Sequence, residues 1–106
     1  MAKYLLLYIG GGMPQTEAET AQVMKAWESW YTSLGSAVVD PGNPFSLSST
    51  IASNGAVSSG SPGINATGYT ILQADSLDIA VKMAMGCPVL QGGAEVRVFE
   101  TFDVMA

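Results

Sequence analysis

The chain contains no histidine among its 106 residues. That absence excludes a Ser-His-Asp triad, a Cys-His dyad and the commonest zinc ligand, so no metal site is expected. There is one cysteine, Cys87, which leaves no intrachain disulfide and no sign of an oxidising compartment. Charge is scarce: four basic and nine acidic side chains make up 12% of the chain, about half the usual share. The net charge of −5 speaks against nucleic acid, whose phosphates need Lys and Arg, and against an anionic membrane surface. No run approaches the ~20 apolar residues of a membrane span. The opening MAKYLLLYIGGG has six apolar residues in a row and no small-residue cleavage pattern. It reads as a strand rather than a signal peptide, and the expected compartment is the cytoplasm.

What is present is apolar. Hydrophobic residues reach 48%, too many for a chain of this length to hide alone, so residues 1–106 are expected to form one domain that pairs with a second copy. Residues 3–9 predict a first strand. Thr16 and Glu19 have the capping-box spacing, and Val23, Trp27, Trp30 and Leu34 form one helical stripe that Gly35 ends. The run VVDPGNP is turn chemistry. Asn54-Gly55 then signals a hairpin within the Ser- and Gly-rich residues 46–63, a stretch equally compatible with a mobile loop. GYTILQAD predicts a strand over 69–74. Asp75 or Ser76 caps a second helix with Leu77, Ala80, Val81 and Ala84 inward, ended by Gly86 and Pro88. AEVRVFETF closes the chain as a strand, with Val96, Val98 and Phe102 on one face and Glu100 interrupting.

The order is β-α-β-β-α-β, a ferredoxin-like α+β sandwich with two helices on one face of a four-stranded antiparallel sheet. In the first strand Leu5, Leu7 and Ile9 alternate with Tyr4, Leu6 and Tyr8, and both sets are apolar. Helices cover one set. The other calls for a partner sheet, giving a homodimer with a barrel-like cavity between the protomers.

KYLLLY, WESWYTSLG, VVDPGNP, GYTILQADSLDIAVKMAMGCPVL and AEVRVFE together resemble the YCII-related (DGPF-type) family along nearly the whole chain. The resemblance implies a ferredoxin-like protomer and a dimeric α/β barrel. The DGPF stretch is replaced here by SSGSPGINATGY. Some members carry a helix-one His and an Asp before a Pro as an acid–base pair. Trp27 and Cys87 fall near those positions, and that chemistry does not carry over to a chain without histidine.

Gly10, Gly11 and Gly12 follow a strand but lack both phosphate-loop patterns and a nearby Lys, and read as an exit turn. Cys87 follows a helix C-terminus, whose negative dipole end raises a thiol pKa, and reads as a buried apolar residue. Asp75 and Asp78 read as helix capping. One of Trp27 and Trp30 is expected at a cavity, and Tyr8 and Tyr69 offer polar tips on apolar bodies. Asp40, at a strand end before Pro41, is a turn-former and the one catalytic candidate. The expected ligand site is a pocket bordered by Tyr8, Trp27, Asp40, Asn43 and Tyr69, with residues 46–63 as a lid. Three functions fit: a small-molecule-binding protein for an apolar or aromatic ligand, a cofactor-free isomerase, lyase or monooxygenase-like enzyme, and an assembly or regulatory module. None of them calls for a cofactor.

Overall fold

The computed structural model describes residues 1–104. Strand β1 (Ala2–Ile9) leads to helix α1 (Glu17–Leu34), and β2 (Val38–Asp40) follows a short 3-10 turn. Strands β3 (Ser49–Ile51) and β4 (Val57–Ser59) precede β5 (Ala66–Ala74), helix α2 (Leu77–Ala84) and β6 (Glu95–Glu100). The main sheet has the order β2-β5-β1-β6 and every pairing in it is antiparallel. With two helices, that is a mixed α+β architecture consistent with the ferredoxin-like arrangement.

The expected hairpin forms, but outside the main sheet. Strands β3 and β4 pair only with each other, and the second strand of the main sheet is the three-residue Val38–Asp40. Asn54 Oδ1 accepts from the Ala56 N–H at 2.9 Å and closes the turn.

Register decides the faces. Tyr4, Leu6 and Tyr8 are buried on the helix side with Thr70, Leu72 and Ala74 of β5. Leu5, Leu7 and Ile9 lie opposite Ile71, Tyr69 and Ala66 on the open face, all of them partly exposed. Phe99, paired with Leu5, adds a side chain 48% exposed.

Thr16 caps α1, its Oγ1 accepting from the Glu19 N–H at 3.0 Å. Glu19 accepts from the Gln15 N–H at 2.9 Å, one residue before the reciprocal partner of a capping box. Only Trp30 of this helix is buried, and residues 17–25 are exposed all round, including Val23 of the expected stripe. In α2, Ala80 and Ala84 are inward as expected, while Leu77 and Val81 remain exposed.

Gly86 does not form a left-handed cap. Its place is explained by Trp30: a Cβ there would lie 3.2 Å from the indole Cδ1, and the indole N–H donates to Met83 O at 3.0 Å. Nor does Glu100 interrupt the last strand. Its Oε1 accepts from the buried Tyr4 hydroxyl at 2.8 Å, and Phe102 lies beyond the strand, exposed. No described helix is long and apolar enough to cross a membrane.

Candidate functional site

An aromatic cluster fills the space between α1 and the buried sheet face. Trp27 meets Tyr8 edge-on at 5.8 Å between ring centroids, and meets Trp30 and Tyr31 at 5.6 and 5.5 Å. The three helix residues cluster because positions 27, 30 and 31 fall on one face of a 3.6-residue helix. Trp30 is the core member; Trp27 and Tyr31 form a partly exposed rim. Of the two tryptophans, Trp27 is therefore the one with a face toward solvent.

Beneath the rim runs a chain of hydroxyls. Tyr8 donates to Thr70 Oγ1 at 2.5 Å, and Thr70 donates to Pro41 O at 2.9 Å. Tyr31 donates to the same carbonyl at 3.1 Å. Burial pushes the Tyr8 phenol far above its ordinary range, with the Thr70 hydrogen bond opposing and the neighbouring Cys87 thiol adding to the shift. Burial raises Tyr31 too, opposed by Thr70 and reinforced by Cys87 and Asp40. Cys87 is also raised, first by burial, with hydrogen bonds from the Val89 backbone and Tyr8 working against it. Desolvation, rather than the α2 dipole, is the cause that dominates there.

The corner at Asp40 and Pro41 joins this cluster to the open face. Asp40 Oδ1 accepts from the Gly42 N–H at 2.9 Å, an Asx turn, and Oδ2 accepts from the Tyr69 hydroxyl at 3.3 Å. Tyr69 stacks on Phe45 with centroids 5.8 Å apart. The turn is tight: Gly42 has φ +77°, and a Cβ on it would lie 1.7 Å from Tyr69 O. Asn43 is exposed at the end of the same turn.

The five expected pocket residues thus fall in two groups. Tyr8 and Trp27 lie on the helix side; Tyr69 lies on the open side, with Asp40 between and Asn43 outside. They do not surround one hollow within the protomer. The sheet separates them, because Tyr8 pairs with Gly68 whereas Tyr69 pairs with Leu7. Two surface hollows lie elsewhere, one of about 500 Å³ beside Pro14 and Thr20 and one of about 190 Å³ beside Leu34 and Met83.

Sequence reasoning passed over Tyr31 and Thr70. Both signals were available: Tyr31 is four residues from Trp27 on α1, and Thr70 alternates with Leu72 and Ala74 on the buried face. No cluster of three or more metal-ligating side chains occurs among the described residues.

The class is that of a mixed α+β fold, with an aromatic and hydroxyl cluster between α1 and the two central strands β1 and β5. No family model matches the chain, and no curated protein sequence does. Among solved structures it is similar to 5-chloro-2-hydroxyhydroquinone dehydrochlorinase from Burkholderia phenoliruptrix AC1100, in complex with 2,5-dihydroxybenzoquinone. The TM-score is 0.53, identity is 15%, and 93% of each chain is covered. At that identity the likeness is a distant relation of fold.

Proposed function

We propose that this chain is a homodimeric small-molecule-binding protein whose ligand sits at the Asp40–Pro41 corner. The observation that carries the reading is the convergence there of aromatic faces and fixed polar groups. Trp27 and Tyr31 offer apolar faces with Tyr8 behind them. Asp40 and the Pro41 carbonyl are acceptors, and Tyr69 and Asn43 stand on the far side of the corner. Apolar walls with a few placed polar groups suit a planar aromatic carrying hydroxyls, which would stack on the rim and donate to Asp40.

The dimer rests on area. The chain exposes 7475 Å², whereas a compact monomer of its 11.0 kDa exposes about 5,600 Å². Part of the excess lies on the open sheet face, where Leu5, Leu7, Ile71 and Phe99 await an apolar partner. Two such faces would bring the Asp40 corners to the rims of the space between protomers. The finer family reading, a YCII-related dimeric barrel, fits this arrangement.

The test is tryptophan fluorescence titrated with small hydroxylated aromatics, starting with 2,5-dihydroxybenzoquinone, the molecule held by the structural neighbour. Saturable quenching that weakens in Trp27→Phe and Asp40→Asn supports the site. A flat response to such a panel, with native mass spectrometry showing no retained ligand, would leave an assembly module as the better reading. The enzyme reading assigns the proton to Asp40. Turnover of a bound aromatic that disappears in Asp40→Asn would favour it.

A further inference from the structure

We propose that the β3–β4 hairpin is an exchanged arm: each protomer's hairpin lies on the second copy, with Leu47, Ile51 and Val57 against it. This rests on the homodimer reading above and adds a second contact to it. Within the protomer the hairpin closes on itself. Thr50 donates to Gly60 O at 2.7 Å, the Gly60 N–H donates to Ser48 O at 2.9 Å, and Ser61 donates to Ser48 Oγ at 3.0 Å. From Phe45 to Asn65 every residue except Thr50 and Gly60 is exposed. Ile51 and Val57 pair across the ribbon and so share a face, and they are 72% and 69% exposed; Leu47 is 96% exposed. An isolated two-stranded ribbon is marginal in water. Its apolar face needs a cover that its own body does not supply.

Three observations name the second copy as that cover. First, the protomer's surface exceeds that of a compact monomer by about 1,900 Å², about twice what each side of a standard interface buries. Sheet pairing and an arm together can use such an area. Second, no charged residue occurs from Pro41 to Ala74, in a chain of net charge −5. This is the longest uncharged run in the chain, so self-association of an anionic protein meets least repulsion along it, and interface centres are depleted in charge. Third, the arm is rooted on the face that is to be paired. Phe45 stacks on Tyr69, the Phe45 N–H donates to Thr67 O, and the returning strand gives Asn65 O to the Gly10 N–H.

The test begins with sedimentation of the whole chain across a concentration series, beside an Ile51→Asp/Val57→Asp variant. Because both side chains are exposed, the variant's far-UV dichroism should match the parent's. Its dimer dissociation constant should rise about tenfold or more. A photo-crosslinking amino acid at position 51, in a mixture of ¹⁴N and ¹⁵N chains, should give linked peptides of mixed label. A dimer whose constant is unchanged in the variant, with every cross-link inside one chain, overturns the arm and leaves the sheet-paired dimer standing. A parent that stays monomeric throughout overturns both.

Discussion

Gly42 shows how little freedom the candidate site has. Its positive φ and the 1.7 Å clash of an added Cβ with Tyr69 O make Gly42→Ala costly twice over. Expected is a loss of about 3 kcal/mol or more in denaturant melts, with Asp40 and Tyr69 parted. Tyr8→Phe is milder, about 1 kcal/mol, since Thr70 keeps its bond to Pro41 O. The same residues set an alkaline limit. Tyr4, Tyr8, Tyr31 and Cys87 are all held above their ordinary values when folded, chiefly by burial. The unfolded chain therefore loses these protons first as pH rises. Their contribution is complete below about pH 8 and falls as the unfolded thiol, at about 8.5, and then the phenols, at about 10, ionise. Melts from pH 7 to 11 should show that decline, shallower in Tyr8→Phe. A flat profile would remove the assignment. Cys87→Ala should cost about 1 kcal/mol, and thiol reagents should label the native protein slowly, because the side chain is 2% exposed.

At the scale of elements, what the sequence disclosed was local. Caps at Thr16 and Ser76, the turn at Asn54-Gly55 and the alternation of β1 each depend on neighbours within a few residues. These placed both helices and most strands. Thr16→Ala should cost about 1 kcal/mol and lower the helical signal. The site was less legible because it depends on register. A shift of one residue turns a strand's side chains to the opposite face, so Tyr8 and Tyr69 could be joined on paper and still lie on either side of the sheet. Strand β2 made this harder, since three residues with a register irregularity between Val38 and Asp40 carry almost no periodicity. The role of Glu100 is hidden from local sequence for a related reason: its partner Tyr4 lies 96 positions away, and only pairing of the terminal strands brings them together.

For the whole molecule the sharpest contrast is between adjacent residues of β1. Leu6 is fully buried under the helices, so Leu6→Asp should unfold the protein, a loss of about 4 kcal/mol or more. Leu7, one position on, belongs to the open face. For the homodimer proposed above, Leu7→Asp should leave a folded chain that sediments as a monomer at concentrations where the parent pairs. Folded dimers from Leu7→Asp would exclude this face as the interface. The absence of charge between Pro41 and Ala74 also has a practical side. Lys25 and Lys82 are successive basic residues, so trypsin leaves both tryptophans, the Asp40 corner and the whole hairpin in one long peptide. Trypsin and amine-reactive footprinting are therefore silent over this region, and its opening must be followed with elastase or chymotrypsin.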